Sequence, residues 1–212
     1  IYTGEDTLSL HDALPIFDLA KNKPFFLVRT DVSRPFVGQA FTLTMSLYVP
    51  ANNGIELSFD HNDVQIPALI QQIRPRNCWE ENFGLQVERV IQGNFQGKKY
   101  TEYRFFQATY FALDSKVIQV PSVRFRLLQS GKSKEKLPMY LNSMAFSIVP
   151  RPLPKHALAG KVPVGRYTLI ETLDKSKAKT GEKVIYQSKV LGNGNSILWD
   201  TKEVASDYFL SF

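Results

Sequence analysis

The chain has 212 residues, with 26 Lys or Arg against 20 Asp or Glu, a net charge of +6 and 43% hydrophobic residues. That apolar content supports a packed core, yet no apolar stretch reaches the ~20 residues needed to span a bilayer. A single cysteine, Cys78, excludes an internal disulfide.

Residues 1–16, IYTGEDTLSLHDALPI, share no pattern with the rest of the chain. Thr7 to Ile16 back-translates as ACT CTT TCC CTA CAC GAC GCT CTT CCG ATC, the end of a common sequencing-library adapter read in frame. Ile1, Tyr2 and Thr3 fit the codons upstream, Asp6 fits an NAC codon, and Phe17 supplies the T that must come next. The segment lacks the basic start and long apolar centre of a signal peptide. It reads as an adapter artefact heading a fragment, and the closing YFLSF reads as a cut. Without it the net charge is +9, from 26 basic and 17 acidic residues once Glu5, Asp6 and Asp12 are set aside.

Phe17 to Lys23 reads as the tail of a preceding segment. Phe25 to Val32 is apolar and β-prone; Pro35 and Gly38 form a turn; Phe41 to Val49 alternates as a half-buried strand. Pro50, Asn52, Asn53 and Gly54 make a loop before Ile55 to Phe59, which alternates again. Pro67 interrupts Val64 to Ile73, which therefore reads as an edge strand or irregular crossover. Arg74 to Phe83 reads as loop. Leu85 to Ile91 and Lys99 to Phe111 read as strands of a hairpin turning at Gly93, Asn94 and Gly97. Val117 to Leu128 and Leu137 to Val149 complete a set of seven or more strands with no helix, which predicts an all-β sandwich over residues 17–149.

Pro150, Pro152, Pro154 and Pro163, with Gly160 and Gly165, mark a linker over residues 150–165, whose polyproline stiffness would restrict the angle between domains. Beyond it the pattern of the first strands returns. Phe25 to Tyr48, FFLVRTDVSRPFVGQAFTLTMSLY, lays onto Thr168 to Leu191, TLIETLDKSKAKTGEKVIYQSKVL. Ser33 meets Ser176, Gly38 meets Gly181 and Gln39 meets Glu182; Phe41, Leu43, Met45 and Leu47 meet Val184, Tyr186, Ser188 and Val190. Two such openings one domain apart predict tandem Ig-like sandwiches, the second running over residues 166–212 and truncated.

Little here suggests catalysis. The basic residues are spread along the chain, the densest run being Lys132 to Lys136 in a predicted hairpin loop, and no nucleic-acid-binding motif is present. Asp60-His61-Asn62-Asp63 has metal-ligand residue types but no Gly for a calcium loop and no distant Glu in register, so it reads as a turn. Neither His61 nor His156 lies near Cys78 in sequence as a base, so Cys78 reads as a loop or buried thiol and no catalytic residue is assigned. Trp79 reads as core first and as a partner contact second. Gly192-Asn193-Gly194-Asn195 is not G-x-G-x-x-G and reads as a strand-ending turn needing positive φ; Gly38, Gly181, Gly192 and Gly194 are the structural turn glycines. No metal or cofactor is implied.

FFLVRTDVSRPFVGQAFTLTMSLYV resembles the opening of a middle domain of the BatD (Bacteroides aerotolerance, or oxygen tolerance) family. Cys78-Trp79 falls where such domains carry an aromatic-Trp segment, and VIQGNFQGKKYTEY (Val90 to Tyr103) is similar to the family's hairpin. Gly165 to Leu169 resembles the start of the next domain, and Leu191 to Asn195, LGNGN, its turn. The resemblance implies an exported protein with several Ig-like domains and a C-terminal membrane helix, held in the periplasm at the inner membrane. Its company would be von Willebrand A-domain proteins and a MoxR-type ATPase. It implies no reaction. The expected function is therefore non-enzymatic docking of envelope partners through sandwich edges and faces, with Trp79, Tyr100 and Tyr103 as candidate contacts. The alternatives are an adhesin or glycan-binding module, which would carry these aromatics exposed on one face, and an accessory domain of a hydrolase.

Overall fold

A computed structural model describes residues 23–51, 54, 56–81, 89–95, 98–130 and 135–194. These are mostly strands with one short helix, so the fold is all-β. Strand β1 (Phe25–Thr30) pairs antiparallel with β2 (Ala40–Pro50). Between the second sheet's strand β3 (Glu56–Phe59) and the first sheet's edge strand β4 (Cys78–Glu81) lies helix α1 (Asn62–Ile73). β2 also pairs with β6 (Lys98–Ala112), whose far edge carries β4 at one end and β5 (Arg89–Phe95) at the other. The second sheet runs β3–β8–β9, with β8 at Arg124–Ser130 and β9 at Lys136–Asn142. A short pair joins β7 (Ile118–Val120) to β10 (Phe146–Ile148), and a separate hairpin joins β11 (Tyr167–Leu173) to β12 (Tyr186–Gly192).

The period-two alternation read in β1 and β2 selects the core. Phe26, Val28, Phe41, Leu43, Met45 and Leu47 all point inward and are buried. Phe125 of β8 closes the sandwich-like layer, its ring stacked 4.9 Å from Phe26 and 5.0 Å from Phe105. Such pairs contribute about 0.5–1.5 kcal/mol each beyond burial. Opposite Met45 and Ser46, β6 carries one extra residue, because Met45 pairs with Phe106 and Ser46 with Arg104. That β-bulge lets both Phe105 and Phe106 reach the core, and it leaves Arg104 on the outer face.

Several expectations change. Val64 to Ile73 is not an edge strand but most of α1. Ile66, Leu69 and Ile73 recur with helical spacing and are buried. At ~1.5–3 kcal/mol per buried side chain they outweigh the ~3 kcal/mol cost of Pro67 inside the helix. Arg74 to Phe83, expected as loop, contains β4. Gly93 and Asn94, expected in a turn, lie within β5; Gly97 falls outside the described residues, as do Leu85 to Glu88.

Val117 to Leu128 and Leu137 to Val149 are each two strands rather than one, and their breaks face each other. Val123 N–H donates to Ser143 Oγ (2.9 Å), Ser143 N–H donates to Val123 O (2.8 Å), and Ser122 Oγ donates to Ser143 O (2.5 Å). Pro121, which has no N–H to donate, and this serine clasp shift both chains together from the β8–β9 ladder to the β7–β10 pair.

Candidate interaction surfaces

The corner between β1 and β2 is built by side chains that bond to backbone. Asp31 Oδ1 accepts from Thr42 N–H (2.6 Å) and Asp31 N–H donates to Thr42 O (3.3 Å). Gln39 Oε1 accepts from Phe36 N–H (2.8 Å), Gln39 N–H donates to Phe36 O (2.9 Å), and Gly38 takes φ 78°. The corner between β11 and β12 repeats every one of these. Asp174 Oδ1 accepts from Ile185 N–H (2.8 Å) and Asp174 N–H donates to Ile185 O (3.1 Å). Glu182 Oε2 accepts from Lys179 N–H (3.1 Å), Glu182 N–H donates to Lys179 O (3.0 Å), and Gly181 takes φ 85°. Positive φ explains the two glycines. The repeat in sequence matches Gly38 with Gly181 and Gln39 with Glu182, and reading it that way passes over Asp31 and Asp174. Their common offset was the available signal, since Asp is the residue that closes such loops through its own carboxylate.

The first corner also grips the linker. Val37 N–H donates to Arg151 O (2.9 Å), Arg151 N–H to Pro35 O (2.7 Å) and Val149 N–H to Ser33 O (2.9 Å). The Arg151 guanidinium lies 4.2 Å over the Phe36 ring while its Nε donates to Arg34 O (3.1 Å). Where the linker ends, a Cβ placed on Gly38 would lie 3.4 Å from Val164 Cγ2. The linker was expected to be held by polyproline stiffness. It is instead hydrogen-bonded at its start and folded midway, where Ala159 N–H donates to His156 O and Lys161 N–H to Leu158 O.

The three candidate aromatic contacts do not share a face. Trp79 on β4 is 47% exposed, so the expectation that it packs in the core is corrected: it sits on a short edge strand, opposite Phe111. Tyr100 is buried on the outer face of the first sheet, with the Phe25 ring 5.4 Å away edge-on and Tyr48 stacked on Phe25 at 4.8 Å. Tyr103 points the other way, towards the core, where Phe59 packs edge-on against it at 5.3 Å. Phe59 and Tyr103 help line an open cleft of about 270 Å³ at the β2–β3 end of the sandwich.

Beside Tyr100 and Tyr48 the outer face carries a charged cluster. Glu102 Oε1 accepts from Ser46 Oγ (2.8 Å) and Arg104 Nε (3.0 Å), with Arg29 at 3.7 Å. Burial pushes the Glu102 carboxyl up, but the Arg104 and Ser46 hydrogen bonds and both guanidinium charges hold it below its ordinary value. Burial, reinforced by the nearby Glu102, pushes the Tyr48 phenol up to about 12. At the other end of the sheet Arg74 grips Glu80 through Nε (2.8 Å) and Nη2 (3.0 Å), and Tyr110 OH donates to Glu80 Oε2 (3.0 Å). Cys78 is half-buried; burial, with Asp114 nearby, raises its thiol to about 12, so it stays protonated and un-nucleophilic at neutral pH.

Of Asp60 to Asp63, expected as a turn, only Asp60 and His61 precede α1, and Asn62 and Asp63 are its first two residues. Arg126 Nε lies 2.7 Å from Asp60 Oδ2 and His61 Nδ1 lies 2.7 Å from Oδ1, so this carboxylate is already engaged. His61 takes φ 50°, and its carbonyl accepts from Val64 and Gln65 N–H to start the helix. Among the described residues no three His, Cys, Asp or Glu side chains cluster as metal ligands. Gly192 and Gly194 do not take the positive φ expected of them. A Cβ at either would collide with the Tyr167 side chain and come within 2.8 Å of a backbone oxygen, Arg166 O or Val164 O, so close approach of the facing chain is what requires glycine there. No protein-family model matches the chain, and no curated protein matches it.

Proposed function

We propose that this chain is a non-enzymatic interaction module built from tandem Ig-like openings, and that it belongs to a membrane-anchored periplasmic scaffold of the BatD oxygen-tolerance type. The observation that carries the reading is the repeated Asp–Gly–Gln/Glu corner, whose first copy binds the linker leading to the second. A scaffold needs its surfaces presented at a set angle, and a linker fastened to a corner serves that need better than a free one. The protonated thiol of Cys78 and the engaged carboxylates of Asp60, Glu80 and Glu102 are what a structural rather than catalytic chain requires. Docking would use the exposed edge around Trp79 and the outer sheet faces. The glycan-binding alternative loses its aromatic platform, because Trp79, Tyr100 and Tyr103 lie apart.

Long-read sequencing of the source locus through both ends of this sequence tests the reading first. A signal peptide upstream, a membrane helix downstream and neighbouring ATPase and von Willebrand A-domain genes are expected. The neighbouring A-domain protein should then bind this chain in calorimetry, and Trp79→Ala should weaken that binding. A frame running into a glycosidase or an adhesin repeat array overturns the proposal.

A further inference from the structure

The outer face of the β8–β9 pair carries a cluster that neither the corners nor the sandwich core uses. Arg124 and Asn142 stand opposite each other across the ladder, as do Arg126 and Tyr140, so the four side chains share one exposed face. Arg126 is neutralised by Asp60, 2.7 Å away. Arg124 has no carboxylate partner among the described residues. Its Nε donates to Asn142 Oδ1 (3.1 Å) and its guanidinium lies 5.8 Å from the Tyr140 ring centre. Both contacts orient the fork without discharging it: one is a neutral acceptor, the other a ring face. The two Nη groups keep donors in the parallel arrangement that suits a carboxylate. Tyr140 is 53% exposed and Met144, just past the end of β9, is 51% exposed. Tyr, Arg and Met are the residue types enriched in protein interfaces, and the central hot spots are Tyr and Arg.

We infer that this face is a docking site for an acidic segment of a partner protein, in which a Glu or Asp carboxylate meets the Arg124 fork while a neighbouring apolar side chain covers Tyr140. The inference rests on reading the chain as an interaction module, not on its envelope location. Charge complementarity selects the occupant. The patch presents an oriented and uncompensated guanidinium, and no acidic residue lies opposite Arg124, Arg126 or Leu128 on β9. Asp60 is held by Arg126, and the other acids of this sheet, Glu56 and Glu135, stand at its far end beside Ser130 and Lys136.

The test uses a fluorescein-labelled peptide of alternating glutamate and leucine, titrated with the chain at low and physiological salt. A basic protein binds any polyanion weakly, so the controls carry the weight. Arg124→Gln is expected to weaken binding about five- to tenfold, the usual effect of losing one oriented charged contact. Lys155→Gln, an equal charge change in the linker, should alter it less than about twofold. Arg124→Lys should recover only part of the loss, because lysine keeps the charge but not the fork. Tyr140→Ala should weaken the peptide while barely changing binding of the same-length polyglutamate. Equal losses for Arg124→Gln and Lys155→Gln would mean unspecific charge attraction and overturn the inference. Arg124-dependent binding of oligogalacturonate without peptide binding would overturn it in favour of an acidic glycan. An A-domain partner whose binding ignores Arg124 would overturn this surface while leaving the proposed function standing.

Discussion

The hairpins β1–β2 and β11–β12 have one backbone and two fates. Thr30 faces Leu43 in the first and Leu173 faces Tyr186 in the second; Phe25 faces Tyr48 and Thr168 faces Leu191. Register, corner hydrogen bonds and positive-φ glycine all agree. Yet Phe26, Leu43 and Leu47 are at most 1% exposed, whereas their counterparts Leu169, Tyr186 and Val190 are 56%, 57% and 40% exposed. The corner is therefore a local device: Asp, Gly and Gln or Glu fix loop and register without help from a core. Burial depends on the other strands. β6 and β8 lay Phe105 and Phe125 over the first hairpin, and no described element does so for the second. A two-stranded ribbon alone is marginal in water, so the first hairpin should hold its shape to the global unfolding limit and the second should not.

The sharpest break in that comparison is Phe125→Ala. It removes the ring stacked on both Phe26 and Phe105, and the expected loss is about 3–5 kcal/mol in urea unfolding. Hydrogen exchange should then accelerate across β1, β2 and β6 and stay unchanged in β11 and β12. Protection that falls in both hairpins together would show them to be one cooperative unit.

Alkali separates them next. The raised phenol of Tyr48, at about 12, and that of Tyr110, raised by burial and by Glu80, both favour the neutral form in the folded state. Their contribution is whole below the ordinary tyrosine value near 10 and is lost as pH rises through the folded value. For Tyr48 this is on the order of 2–3 kcal/mol. Tyr186 is also raised, by its hydrogen bond to Glu171, but it is exposed. Absorbance at 295 nm should show Tyr186 titrating reversibly in the folded protein, and Tyr48 and Tyr110 only as near-UV dichroism collapses.

Smaller still are the corner carboxylates. Asp31→Ala should cost about 1 kcal/mol, the typical loss of one side-chain bond to backbone, and lower the urea midpoint. Asp174→Ala should leave that midpoint alone and speed exchange at Ile185 N–H only. If Asp174→Ala shifts the midpoint, the two corners share one stability after all.

Local chemistry was readable in the sequence and non-local chemistry was not. The alternation of Phe41 to Leu47 and the glycine corners are set by near neighbours, so pattern found them. Pro67 argued against a helix because its cost is local, while the burial of Ile66, Leu69 and Ile73 that outweighs it appears only once the sandwich exists. Val117 to Leu128 looked continuous because its break is made by Ser143, twenty residues from its partner Val123. Trp79 looked like core until its pairing with Phe111 placed it on an edge. The Arg124, Tyr140 and Asn142 face, like the Glu102 cluster, exists only through strand register. Chemistry assembled across strands in this way leaves no motif along the chain.

The smallest expected effect concerns the tie between the two halves. Arg151→Ala removes the cation–π contact with Phe36 and the Nε bond to Arg34 O, worth roughly 0.5–1 kcal/mol at an exposed site. The urea midpoint should barely move. Trypsin cleavage after Lys155 and Lys161 should quicken about two- to fivefold, because cleavage there requires the strap to leave its corner and losing that energy raises the open fraction by this factor. Arg151→Lys should fall between the two, keeping the charge over Phe36 but not the planar stack. If both variants are cleaved at the original rate, the backbone bonds from Val37 and to Pro35 hold the strap unaided. The first corner would then hold the linker as each corner holds its own hairpin, through backbone geometry fixed by a few local residues.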